Sequence, residues 1–251
     1  MGTAISIIRD GDVVRITLTR ADRRNAFDGA MIDELTDAFA AVGDARAVLL
    51  QGEGPSFSAG ADLDWMRASV ELSPEQNRVE GQRLGALFAA IDSCPTPVVA
   101  AVHGHAIAGG AGLVATCDIA VAAPGTKFGF TETRIGLIPA TISPYVIGRI
   151  GTTAARRYLL TAELFDAAEA LRIGLIGAIA EDPLAEAERI VATLCGVGPE
   201  AVRATKRMIL ERPSPDELAR LISEVRASAE GQAGLRALLT GEDPPWRSAP
   251  S

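Results

Sequence analysis

The chain is poor in histidine, cysteine and aromatic residues, and it has no excess of positive charge. Its two histidines, His103 and His105, sit in one short stretch, and no Cys/His spacing marks a metal site. Three cysteines, Cys94, Cys117 and Cys195, are odd in number and lie in apolar surroundings. They exclude a disulfide framework and fit buried thiols in a reducing cytoplasm. A net charge of −8 argues against nucleic acid as the main partner, because phosphate binding needs a basic surface. No apolar run approaches the roughly 18 residues of a membrane span, and the first residues lack a signal-peptide pattern. Met1-Gly2-x-x-x-Ser6 matches a myristoylation pattern, but the segment already reads as a strand and chance accounts for the match. What remains is a 251-residue chain, 48% apolar and 22% charged, with the composition of a soluble globular protein and enough length for a substantial core.

The most informative stretch is Thr96 to Asp118, TPVVAAVHGHAIAGGAGLVATCD. Pro97–Val102 reads as a buried strand, Gly104–Gly112 as a Gly/Ala-rich loop and Leu113–Cys117 as a helical turn. Small residues between a strand and a helix let the backbone approach a ligand and aim free amides at negative charge. A P-loop would need a Lys after Gly109 or Gly110, and none follows. Gly110, Gly112 and Ala115 spell the dinucleotide pattern, with Glu132 twenty positions on. That acid should end a second strand, whereas the candidate strand Ile119–Ala123 ends in Pro124-Gly125. Ser56–Asp62, SFSAGAD, is a second junction of the same kind after the apolar run Ala47–Leu50. Two such junctions can each give one amide to the same oxygen, forming an oxyanion hole.

Along the rest of the chain, Ile5–Ile8 and Val13–Thr19 flank a hairpin signal at Asp10-Gly11-Asp12. Asp28 is placed to cap a helix with the stripe Met31, Ile32, Leu35, Phe39 and Val42. Ser73-Pro74-Glu75-Gln76 starts a helix to about Ser93, predicted to bury Val79, Leu84, Leu87, Phe88 and Ile91. The alternating β and α order predicts a largely parallel sheet. Helical segments follow near 143–150, 152–161, 166–173, 183–195, 199–210 and 215–229, with a short apolar segment at Leu175–Ala180. Gly241–Ser251, with three prolines, reads as a loose tail.

Three segments, FSAGAD at 57–62, GHAIAGGAGLVATCDIAVA at 104–122 and FGFTETRIGLIPA at 128–140, together resemble the crotonase superfamily, the enoyl-CoA hydratase/isomerase family. The resemblance runs from about Ile5 to Trp246. It implies an α/β fold, a crotonase-like ββα spiral over residues 1–190 with a helical trimerisation region over 191–251. It implies a homotrimer or homohexamer acting on acyl-CoA, with coenzyme A as part of the substrate and no further cofactor. The oxyanion donors would be the amides of Ala61 and Gly109, flanked by Ala59, Gly60, Asp62, Gly110 and Gly112 in the substrate site. Glu132 falls where the family keeps the second of two catalytic glutamates, and its apolar neighbours Phe128 and Phe130 should raise its pKa by desolvation. The alternative for Glu132 is a surface glutamate paired with Arg134.

The departure from the pattern is at Gly112, where the family's first glutamate would stand. Three readings follow: hydration with Glu132 alone, isomerisation of a 3-enoyl to a 2-enoyl thioester by Glu132, or a replacement acid drawn from His105, Asp64, Glu80 or Tyr145. A catalytically inactive acyl-CoA-binding homologue is the rival from another class. Thr141-Ile142-Ser143-Pro144-Tyr145 replaces the usual glycine-rich segment. This resembles a branch of hydratases for branched or carboxylated substrates, including methylglutaconyl-CoA and isohexenylglutaconyl-CoA, in which Gly at 112 is usual. For the nucleotide phosphates, Arg23 and Arg24 match the family's basic residue loosely. Thr240-Gly241-Glu242-Asp243 stands where a basic run is usual. Asp62 and Asp118 lie at element ends, where capping or ion pairing is the expected role.

Overall fold

A computed structural model describes residues 4–247, so the Met1-Gly2 part of the myristoylation pattern lies outside the described residues. The expected hairpin forms from β1 (Ile5–Asp10) and β2 (Val13–Leu18), paired antiparallel. Helix α1 (Gly29–Ala40) starts at Asp28, whose carboxylate accepts the Met31 amide at 3.0 Å. A cap of this kind satisfies an otherwise free amide and contributes about 1 kcal/mol. The whole predicted stripe of α1 is buried. Strand β3 (Ala47–Gly52), helix α2 (Leu63–Ser69) and helix α3 (Pro74–Asp92) follow. Ser73 and Gln76 close both halves of a capping box on α3. Leu87, Phe88 and Ile91 are buried and Leu84 is half-buried, but Val79 is 47% exposed, against expectation. Five positions separate Val79 from Leu84, and that offset turns it off the i, i+3, i+4 face.

Strand β4 (Val98–Val102) is the buried run after the prolines. The segment expected as a loop from Gly104 to Gly112 is instead β5 (His105–Ile107) running into α4 (Gly109–Thr116). Its partner explains the difference: the Ser58 amide donates to His105 at 3.0 Å and the Ile107 amide donates to Ser58 at 3.1 Å. Strands β6 (Ile119–Ala122) and β7 (Lys127–Gly129) lead to a 3₁₀ turn at Glu132–Ile135. Helix α5 (Ser143–Thr161) joins two expected helical segments across a kink at Gly151, which has φ 71°. Then come β8 (Phe165–Asp166), α6 (Ala167–Arg172), β9 (Ala178–Ile179), α7 (Pro183–Cys195), α8 (Pro199–Glu211), α9 (Pro215–Ala227) and α10 (Ala229–Thr240). Strands β7 and β8 are too short to show periodicity. Ser228 ends α9, close to the expected limit at 229, and caps α10, a helix not among the expected segments.

Six strands form one sheet in the order β1-β2-β3-β4-β6-β9, parallel from β2 onward, and β5-β7-β8 form a second. Val48, Leu50, Val98, Ala100 and Val102 share a core with Leu35, Phe39, Phe88 and Ile91. On the other face Ala47, Leu49, Val99 and Ala101 meet Ala187 and Val191 of α7. Cover on both faces is why these strands read as unbroken apolar runs. Helix α7 straddles residue 190 and belongs to the sheet. Cys94 and Cys117 are buried, and burial pushes the Cys117 thiol up to about 12, whereas Cys195 is only half-buried. The tail is docked as far as Arg247, contrary to expectation: the Trp246 carbonyl accepts from Arg46 at 3.2 Å, and its indole lies on Gly234. No helix among the described residues is long and apolar enough to cross a membrane.

One ion pair ties the C-terminal helices to the sheet. Lys206 of α8 is buried and its Nζ lies 2.6 Å from Asp118 Oδ2. The same oxygen accepts the Val98 amide at 2.7 Å, fixing the start of β4. Removing one partner strands the other charge, so Lys206→Met is expected to lower stability by about 3 kcal/mol. Urea unfolding checks this as a fall in the midpoint at constant slope.

Candidate active site

Phe27, the 57–62 loop and the start of α4 are stitched together by backbone hydrogen bonds. The Phe27 amide donates to Gly60 at 2.8 Å and its carbonyl accepts from Asp62 at 2.9 Å. The Ala108 amide donates to Gly129 at 2.7 Å. Gly60 takes φ 87° with its Cα close against the Ile107 carbonyl, a position that admits no side chain. A Cβ on Gly109 would overlap the edge of the Phe27 ring at its Cζ. Ala108 is held at φ 50°, ψ −120°, a conformation costly for alanine that persists only because its surroundings over-determine it. The amides of Ala61 and Gly109 have no hydrogen-bond partner among the described residues. For Gly109 this follows from its place as the first residue of α4.

These amides border a cavity of about 630 Å³ whose wall includes Ala59, Ala61, Ala108 and Gly109. Its other sides come from α2 and α3 and from the segment Thr131–Ile142. Glu132 projects into it from the 3₁₀ turn. One oxygen of its carboxyl, Oε2, is buried without a hydrogen-bond partner. Burial raises the Glu132 pKa above the ordinary carboxylate range, which favours the protonated acid. Arg134 does not pair with it: the guanidinium donates to the Ala162 carbonyl instead. A carboxyl of raised pKa and two unpartnered amides thus border one largely apolar space, an arrangement suited to moving a proton next to a carbonyl that becomes negative.

Of the residues singled out in the sequence, Ala59, Ala61, Gly109, Glu132 and, among the substitute acids, Glu80 line the cavity. Gly60 forms the turn between two of them. Asp62 does not line it; its carboxylate caps α2 by accepting from the Asp64 amide at 2.8 Å and pairs with Arg20 at 2.9 Å. Gly110 is buried against Ser58, and a Cβ on Gly112 would overlap the Ile142 side chain. Both glycines are thus packed inside the fold, which removes the phosphate cradle of the dinucleotide pattern. His105 and Tyr145 are not in the cavity wall: His105 is exposed with Nδ1 3.3 Å from Ser56 Oγ, and Tyr145 packs on Phe88. Arg23 is spent on Asp62 and Asp64, at 3.7 and 2.9 Å. Arg24 is exposed, has no ion pair among the described residues, and accepts the Ala59 amide on its carbonyl at 2.9 Å.

The cavity wall also contains Phe27, Asn77, Leu84 and Ile142. Asn77, Glu80 and Leu84 lie three and four residues apart along α3, and that spacing was the available sign of a shared face. Phe27 and Ile142 carried no such sign, since each enters through a contact between distant segments.

Comparison with known proteins identifies the family. The family model for enoyl-CoA hydratase/isomerase matches residues 9–243. A Thermus thermophilus protein assigned as an enoyl-CoA hydratase is 35% identical over 249 residues, 94% of this chain and 98% of that protein. The cyclohexa-1,5-dienecarbonyl-CoA hydratase of Thauera aromatica is 32% identical over 251 residues, 96% of this chain and 95% of its own length. The solved structure of Pseudomonas aeruginosa AtuE superposes with a TM-score of 0.93 at 36% identity, covering 98% of this chain and 100% of that one. With the match running through both oxyanion-type junctions and Glu132, the chain belongs to the enoyl-CoA hydratase/isomerase family of the crotonase superfamily.

Proposed function

We propose that the chain adds water across the double bond of a 2-enoyl-CoA thioester. The observation that carries this is Glu132: a carboxyl with an unpartnered buried oxygen, in one cavity with the free amides of Ala61 and Gly109. The thioester oxygen accepts from both amides. As water adds at Cβ, negative charge collects on that oxygen, and each donor is worth roughly 3–4 kcal/mol of barrier. Glu132, held toward its acid form, delivers a proton to Cα. Coenzyme A enters as part of the substrate, and the mechanism needs no separate cofactor. The unpaired Arg24, one backbone hydrogen bond from Ala59, is placed to meet its phosphates.

The acyl group is branched or bulky in this reading. Ile142 presses on Gly112 and shares the cavity wall with Leu84, giving an apolar acyl site without the glycine-rich segment usual after Ile-Pro. A relative named for hydration of a cyclic dienoyl thioester supports a bulky substrate. Gly112 favours a second reading, in which Glu132 alone shuttles a proton between Cα and Cγ of a 3-enoyl thioester. The two separate by absorbance of the conjugated thioester. Crotonyl-CoA or methylglutaconyl-CoA losing signal establishes hydration, whereas 3-hexenoyl-CoA alone gaining signal establishes isomerisation. No change with any ester, with retained binding, leaves a non-catalytic homologue.

Glu132→Gln is expected to lower kcat by about 10³-fold while thioester binding persists. The same variant should be more stable than the wild type at pH 7. The folded state holds the Glu132 proton more tightly than the unfolded state, so wild-type stability is full at low pH and falls as pH rises through the folded pKa. Thermal melts of the two proteins should therefore converge below about pH 4, where the unfolded carboxyl is protonated too. Arg24→Ala is expected to raise KM about tenfold with little change in kcat, because a phosphate contact remote from the reacting carbons is lost equally from substrate and transition state.

Assembly is proposed to run through the C-terminal helices. Ile209 of α8, Ile222 of α9 and Leu238 and Leu239 of α10 are 64%, 55%, 78% and 84% exposed. Apolar exposure on this scale marks a protein interface. Light scattering should give three or six times the chain mass, and a monomer would overturn the proposal.

A further inference from the structure

Hydration as proposed leaves one group unaccounted for: the base that takes a proton from the attacking water. The α4 position for such a group is closed, because a side chain at Gly112 would run into Ile142 and Phe88. Of the four substitutes considered from sequence, three are elsewhere. His105 is exposed beside Ser56, Asp64 pairs with Arg23 and Arg67, and Tyr145 packs on Phe88 without lining the cavity.

The fourth is inside. Glu80, on α3, lines the same cavity as Glu132, Ala61 and Gly109. Its Oε1 is held by Arg83 Nη1 at 3.2 Å. Arg83 is in turn anchored on α1, with Nε 2.6 Å from Asp33 Oδ1, a second contact to the other Asp33 oxygen, and Nη2 3.0 Å from the Gly29 carbonyl. The remaining oxygen, Glu80 Oε2, is buried with no hydrogen-bond partner. Among the described residues, only four side-chain polar atoms are buried and unpartnered, and two of them are the Oε2 atoms of Glu80 and Glu132. A buried carboxylate oxygen left unpaired is costly, and one on a residue that lines a cavity is suited to hold a water molecule.

We infer that Glu80 is the second catalytic carboxyl of this enzyme, entering from α3 to activate water where α4 offers only glycine. This rests on the hydratase reading above. In the step, the water oxygen bonds to Cβ while its proton passes to Glu80 Oε2. The π pair moves toward Cα and the thioester oxygen, and Glu132 gives its proton to Cα. Glu80 ends protonated and Glu132 ionised; one proton passing back through solvent restores both. The Arg83–Asp33 clamp positions Glu80 and keeps one of its oxygens occupied, so that the free oxygen is the one presented to water.

The test compares wild type, Glu80→Gln and Glu80→Asp, each confirmed folded by circular dichroism, on the 2-enoyl ester that the wild type hydrates. E80Q should lose about 10²–10⁴-fold in kcat with KM within a few-fold of wild type. E80D, which keeps the charge on a shorter arm, should fall between. A second readout separates catalysis from structure: exchange of the Cα protons of butyryl-CoA in deuterium oxide needs Glu132 and the oxyanion donors but no attacking water. That exchange should survive in E80Q. Hydration by E80Q at the wild-type rate overturns the role of Glu80 and leaves the hydratase reading standing. Loss of hydration and exchange together, or a change in KM alone, overturns it in favour of a structural role. Hydration by neither wild type nor variant overturns both proposals.

Discussion

The site depends on two backbone segments being held so close that side chains are excluded between them. Ser58 exchanges hydrogen bonds with β5, Phe27 with Gly60 and Asp62, and Ala108 with Gly129. Each bond is modest on its own, a net contribution of about 1 kcal/mol. Together they pin the Ala61 and Gly109 amides beside one cavity with nothing to bond to. The Phe27 ring over Gly109 and the Ile107 carbonyl against Gly60 leave no room for a Cβ. The small residues therefore follow from the docking. In the proposed reaction, a donor pair already in place loses nothing to reorganisation when charge appears on the thioester oxygen.

Charge placement follows from that scaffold. Many of the ion pairs among the described residues join partners three or four positions apart, and exposed ones such as Arg78 with Glu75 and Arg220 with Glu224 contribute little each. Two carboxyls in the cavity are different, since each keeps one buried oxygen unpaired. Their surroundings differ: burial raises the Glu132 pKa, while one Glu80 oxygen is held by Arg83. Groups of one chemical type in unequal environments can divide acid and base work between them.

Much of the fold was legible because local chemistry and final structure agree. Asp28 and Ser73 cap the helices their positions announce, the apolar runs at 47–50 and 97–102 are central strands, and the alternation of β and α gives parallel pairing. Failures fall where a distant partner decides. Strand β5 looks like a glycine loop until Ser58 pairs with it. Strands β7 and β8 are too short to carry a period. Val79 belongs to an apolar count but not to the buried face, and the tail is held by Arg46 from two hundred positions away.

By itself the sequence determined the family, the two strand-to-loop junctions, the single glutamate at 132 and the missing one at 112, because each is a matter of residue type and spacing. Only the tertiary structure decided which groups share the cavity. It removed His105, Asp64 and Tyr145, kept Glu80, assigned Asp62 to a helix cap, and showed that Ile142 closes the space beside Gly112. The physical reason is that a carboxyl's role is set by what lies within a few ångströms of it. For Glu80 the charged neighbour is Arg83, one turn along α3, and Arg83 is itself held from α1 by Asp33.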